Sequence, residues 1–165
     1  MRSLLILFAT LLSAASVATQ TASFTNYGRG CDLPGSPPPL IRSTGLPQLG
    51  ATFTVRYIGP NGQTPVSQDQ PVLLTGFSTL SWPIPPISSL QPAGCLLLVL
   101  PEIVIPMPWT GSRYQDQFPM QIPNDVGLLG ATMHQQFACF YSRCQPTCNL
   151  QMLRMSDAGT TVIGV

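Results

Sequence analysis

Between residues 50 and 58 apolar and polar side chains alternate: Phe53, Val55 and Tyr57 share one side, Thr52, Thr54 and Arg56 the other. A period of two predicts a half-buried β-strand, and Gly59-Pro60-Asn61-Gly62 supplies the turn that ends it. Residues 71–80 predict a second strand, bent or bulged near Gly76. Residues 95–100 are apolar on both sides and predict a central strand covered on each face. Residues 102–105 continue it beyond a kink at Pro101. After Pro123, Asn124-Asp125 predicts a cap for one helical turn through Leu129, stopped at Gly130. Residues 131–141 fit helix or strand by period alone. The β-branched, aromatic and turn residues around them favour a strand, paired through Gln145-Pro146-Thr147 with residues 150–155. Residues 160–165 predict the last strand.

Composition narrows the class. Of 165 residues, 18 are proline and 14 glycine, yet 44% are hydrophobic. That is too apolar for a disordered tail, and the proline breaks leave little room for long helices. Pro37-Pro38-Pro39 and Pro83-Ile84-Pro85-Pro86 cannot donate ladder hydrogen bonds, so they predict extended connections or edge segments. Short strands with no helical repeat and no internal linker predict a single all-β domain. The expected architecture is a jelly-roll-like β-sandwich with at most one or two short helical turns.

The first 18 residues read as an address. Arg2 supplies a positive start, residues 4–12 an apolar stretch, and Ser16 and Ala18 the small residues before a cleavage point. This is the pattern of a secretory signal peptide, and it predicts cleavage after Ala18, a mature domain over 19–165, and a secreted or cell-surface location. The later apolar run over 95–105 is interrupted by Pro101 and Glu102, so no membrane span is expected after cleavage. Removal of the leader takes away Arg2 alone among the charges, leaving six Arg, no Lys, and six Asp plus Glu. Zero net charge with dispersed arginines excludes the basic patch that nucleic acid requires, and so low a surface charge favours self-association.

In an oxidising compartment the five cysteines predict disulfides. Cys144 and Cys148 flank a short turn and read as a cross-strand pair. Cys31 and Cys95 each follow glycine and read as the long-range pair. Cys139 is left inside an apolar stretch as a small buried hydrophobe, although a pairing of Cys139 with Cys148 is compatible with the same spacing. A zinc site from His134, Cys139, Cys144 and Cys148 has loose spacing, and exported cysteines tend to oxidise before they bind metal, so neither metal nor cofactor is expected.

Little here can do catalysis. Asp32, Asp69, Asp116, Asp125 and Asp157 neighbour turn-forming residues and read as turn caps. Glu102 reads as a strand-edge residue. His134 falls on the side of its strand shared with Thr132 and Gln136, the polar and solvent-facing side. No Gly-x-Ser-x-Gly elbow is present, and no catalytic residue is assigned. Trp82, Trp109 and Tyr114 fall in or beside proline-rich loops and are the candidates for stacking on a ligand. Arg113, Gln115, Asp116 and Gln117 stand near as polar contacts.

Several short signatures occur in order: Tyr27-Gly28-Arg29-Gly30-Cys31, Leu46-Pro47-Gln48-Leu49-Gly50, Pro83-Ile84-Pro85, Gly94-Cys95-Leu96, Pro123-Asn124-Asp125, Leu129-Gly130, then Ser156 and Val162-Ile163-Gly164. In this order the chain resembles a family of exported β-rich domains of planctomycete-type and myxobacterial-type bacteria. The resemblance spans residues 27–165, carries no catalytic residues, and also implies the Cys31–Cys95 pairing. Cys139, Cys144 and Cys148 depart from its pattern, as does the lack of an acidic residue near Tyr141. Together these readings imply a non-catalytic secreted or cell-surface module with a structural or protein-interaction role. The alternative is a carbohydrate-binding module using exposed aromatics, and the partner is accordingly an extracellular protein or a polysaccharide.

Overall fold

The computed structural model describes residues 20–32, 35–62, 65, 69–87, 94–111, 113–144 and 148–165. The expected leader and the turn at 145–147 lie outside the described residues, as do the side chains of Cys144 and Cys148 and hence their expected disulfide. The chain is all-β. Its strands are β1 (Ser23–Tyr27), β2 (Leu40–Thr44), β3 (Thr52–Ile58), β4 (Asp69–Gly76), β5 (Thr79–Pro83), β6 (Leu96–Val99), β7 (Ile103–Pro106), β8 (Gln117–Gln121), β9 (Thr132–Cys144) and β10 (Cys148–Val162). Antiparallel pairing orders them as β1-β10-β9-β4-β7, β2-β3-β8 and β5-β6. The capped turn is present as a 3-10 turn over Val126–Leu128, with the Asp125 carboxylate accepting from the Gly127 N–H at 2.9 Å.

Alternation along the strands explains the layering. On one face of the five-stranded sheet Leu73, Phe137 and Cys139 pack against Ile41, Phe53, Val55 and Tyr57 of the three-stranded sheet. On the other face Val72, Leu74, Ala138 and Met155 pack beneath Leu97, Ile84 and the Cys31–Cys95 disulfide. Each large side chain buried in this way contributes roughly 2 kcal/mol. The five-stranded sheet is therefore the middle layer, and the strands covered on both faces are β4 and β9. The adjacent pair Gln135 and Gln136 shows this directly. Gln135 takes a hydroxyl bond from Thr161 at 2.9 Å and reaches the Met120 sulfur of β8. Gln136 turns the opposite way, donating to the Leu96 and Ser156 carbonyls and accepting the Leu98 N–H at 2.9 Å.

The run 95–100 is thus not a central strand. It enters the two-stranded outer layer, where Leu96 and Leu97 are half-buried and Leu100 is exposed. The reason is a bend in a long ribbon. Thr75 pairs with Ile103 and Thr79 with Val99 at the same offset, and the Leu100 N–H donates to the Ser78 carbonyl between them. One two-stranded ribbon thus leaves the middle sheet at Gly76 and becomes the outer layer, dividing the expected strand 71–80 into β4 and β5. A Cβ on Gly76 would stand 1.9 Å from the Leu100 carbonyl oxygen, so only glycine lets the arms cross so closely. Residues 103–106 return to the middle sheet as its edge strand.

The end of the chain also differs from expectation. Residues 150–155 and 160–162 belong to one strand, β10, with register shifts between Leu150 and Met152 and between Met155 and Ala158. The second shift leaves Ser156 and Asp157 outside the ladder, the signature of a β-bulge. Ser156 Oγ then accepts the Phe137 N–H at 2.9 Å, replacing a lost ladder contact. Three of the short signatures interlock beyond it: the Leu49 N–H donates to the Gly164 carbonyl, the Gly164 N–H to Pro47, and the Gly130 N–H to Ile163.

Candidate functional site

Every carboxylate whose side chain is described has a structural partner. Asp157, expected in a turn, is buried in the β10 bulge. It accepts the Ile41 N–H at 2.7 Å, the Asn26 amide at 3.1 Å and the Arg42 guanidinium at 3.2 Å, joining β1, β2 and β10 at one corner. Asp32, also expected as a turn cap, is buried and paired with Arg154 Nε at 2.8 Å, whose guanidinium lies over the Tyr141 ring. Asp116 pairs with Arg56 at 3.2 Å, so it is committed to β3 and is not a ligand contact beside Tyr114. Glu102 accepts the Phe77 N–H at 3.1 Å where the ribbon bends, and Asp69 lies in β4 rather than in a loop. Asp157 escaped the sequence pattern because a bulge and a turn use the same residue types, and Asp32 because its partner Arg154 lies far along the chain.

His134 is not on a solvent-facing side. Its neighbour on that face, Gln136, is fully buried, and His134 itself is half-buried under the outer layer. Its Nδ1 lies 3.1 Å from Thr160 Oγ1, and its ring meets Tyr27 edge-on at 5.9 Å. Burial lowers the His134 pKa below the ordinary histidine value. Burial also pushes Tyr27 up to about 12, and its phenol donates to the Leu98 carbonyl. The Tyr27 phenol thus ties β6 to the middle sheet, and His134 braces its ring from within that sheet. Among the described residues no cluster of three or more His, Cys, Asp or Glu is placed to hold a metal ion, and no described helix is long and apolar enough to cross a membrane.

The three candidate aromatics occupy two places. Trp109 and Tyr114 face each other across a short bridge, rings 4.9 Å apart and T-shaped, in a loop closed by the Thr110 N–H and hydroxyl on the Arg113 carbonyl. Trp109 is 45% exposed and Tyr114 half-buried behind it. Trp82 lies beside the proline-rich segment 83–86, on β5 opposite Leu97, and is 63% exposed. Beside it runs a groove of about 290 Å³ lined by Trp82, Pro83, Ile84, Pro85 and Leu97. Phe77 and Leu100, exposed where the ribbon bends, extend the apolar surface of this layer and were not singled out from sequence. The signal for them was the charge-free run over 70–101. Compared with protein-family models, with curated proteins and with solved structures, the chain matches none.

Proposed function

We propose that the chain is an exported, non-catalytic β-sandwich module, secreted or held at the cell surface, with a structural or protein-interaction role. One observation carries this reading. The described carboxylates are all engaged in holding strands, caps and corners together, while large apolar side chains stand exposed on the outer ribbon. General acid–base chemistry needs titratable groups gathered and available in a cleft. Binding by surface complementarity needs neither. The leader-like first 18 residues and the Cys31–Cys95 disulfide support export.

The Trp109–Tyr114 pair favours a second reading, a carbohydrate-binding module. An exposed indole backed by a second ring, with Arg113, Gln115 and Gln117 alongside, suits stacking on a sugar with polar contacts at its rim. Affinity electrophoresis through gels cast with soluble polysaccharides separates the two. Unretarded migration across the panel is the expected result for a protein-facing module. Retardation abolished by Trp109→Ala replaces that reading with the carbohydrate one.

A further inference from the structure

We propose that Met120 is an oxidative modification site of this protein, taking a hydroperoxide as oxidant, with the buried Gln135 amide placed to receive the sulfoxide oxygen. The starting point is an amide poorly served by its partner. Gln135 is fully buried between β9 and the three-stranded sheet. Its Oε1 accepts the hydroxyl of Thr161, itself fully buried, at 2.9 Å, and this bond turns the amide nitrogen toward β8. Nε2 donates to the Met120 sulfur at 2.9 Å, and among the described residues that thioether is its one acceptor. A thioether accepts weakly, and a buried donor left with so little is costly. An oxygen on that sulfur is a strong acceptor set beside a donor already aimed at it.

The position of Met120 lets an oxidant reach it. Apart from Met1, the methionines are Met107, Met120, Met133, Met152 and Met155. Met107, Met152 and Met155 are buried in the core, whereas Met120 and Met133 are half-buried. Met133 belongs to β9, which β10 and β4 flank in the middle sheet. Met120 belongs to β8, an edge strand of the three-stranded sheet, and stands between exposed Pro119 and Gln121. A peroxide therefore approaches from the open edge of β8, while Gln135 holds the sulfur from within.

The step balances without a further reactant. A sulfur lone pair attacks a peroxide oxygen, an S–O bond forms and the O–O bond breaks. The thioether loses two electrons, and the peroxide is reduced to water, or to an alcohol where it carries an organic group. A sulfoxide ordinarily disrupts a core, because its polar oxygen is buried without a partner. Here Gln135 supplies the partner, so β8 keeps its register with β3 after oxidation.

The test uses the chain with its disulfide intact, treated with hydrogen peroxide and followed by peptide mass mapping. The expected result is a first sulfoxide at Met120, ahead of Met107, Met133, Met152 and Met155. Urea unfolding of the singly oxidised protein then matches that of the untreated protein. Gln135→Leu is compared reduced against oxidised, so that its lost Thr161 bond cancels. There oxidation lowers the folding constant about 5-fold, the scale of one ordinary hydrogen bond. If that variant fails to fold, infrared difference spectra of the parent, made with oxygen-18 peroxide, give the same decision. The S–O stretch is expected at the lowered frequency of an oxygen that accepts a hydrogen bond. A first sulfoxide at any of the other four methionines overturns the proposal. So does an oxidised parent that loses as much stability as oxidised Gln135→Leu, and so does an S–O stretch at the unbonded frequency.

Discussion

The disulfide gives the most quantitative expectation. Cys31 joins β10 through reciprocal backbone bonds with Met155, at 2.7 and 3.2 Å, and Cys95 stands at the entrance to β6. Their link closes a loop with a sequence separation of 64. In the chain-entropy description a loop of that length stabilises the folded state by roughly 4 kcal/mol at room temperature, because it removes freedom from the unfolded chain alone. Against a typical domain stability of about 5–15 kcal/mol that is a large share. The perturbation is the double substitution Cys31→Ala with Cys95→Ala, measured by urea unfolding beside the parent in oxidised and in reduced form. The expected loss is about 4 kcal/mol for the double variant, and the reduced parent should fall with it. The denaturant slope should rise in both, since an unfolded chain without the cross-link exposes more surface. Hydrogen exchange should find the backbone of β5 and β6 loosened first, because the cystine is among the few ties between that layer and the middle sheet. A loss below about 1 kcal/mol with an unchanged slope would refute the reasoning: the link would then hold nothing that the packing of Val72, Leu74 and Met155 did not already hold.

Two further expectations follow from buried polar groups. Asp157→Ala leaves the buried Ile41 N–H without its acceptor and removes the ion pair of Arg42, so urea unfolding should register a loss of about 2–3 kcal/mol; a change under about 0.5 kcal/mol would sink the corner as a structural device. The dependence of melting temperature on pH should fall away at both ends. Tyr27 holds its proton more tightly folded than unfolded, so its contribution is complete below pH 10, the ordinary value, and is lost as pH rises toward 12. His134, lowered by burial, has the opposite sense: stability is intact above the ordinary histidine value and declines as pH drops beneath it. Tyr27→Phe should flatten the alkaline limb and His134→Gln the acid one, as read by calorimetry; slopes unaltered by these changes would assign the titration elsewhere.

Much of the fold was legible in local pattern. Phe53, Val55 and Tyr57 face the core as their alternation requires, the cap at Asp125 is where Pro123-Asn124-Asp125 puts it, and Cys31 meets Cys95. What failed were judgements about layers. A run such as 95–100, apolar on both sides, carries no mark of which sheet covers it. Here one side rests on the middle sheet and Leu100 faces solvent. Conversely β9, which is covered on both sides, carries Gln135 and Gln136 in its middle, because each amide finds partners in a different layer. Polar residues with distant partners mimic a solvated face, and so His134 was placed outside. Asp157 was hidden for a related reason: a bulge that turns a carboxylate inward is built from the residues that make a turn outward. At the candidate site, exposure of Trp82 and Trp109 was legible from their proline surroundings, but the groove was not, since it arises only when Leu97 arrives across the ribbon.

The pairing of β1 with β10 sets Ser23 opposite Val162. The earliest strand of the domain thus waits for the last to be synthesised before it can dock, and the middle sheet cannot be completed on a ribosome still making its C-terminal residues. Contacts so remote along the chain slow folding to the millisecond-to-second range. Under the export proposed above, such late closure would keep the newborn chain threadable until it has crossed, with the Cys31–Cys95 link forming only afterwards.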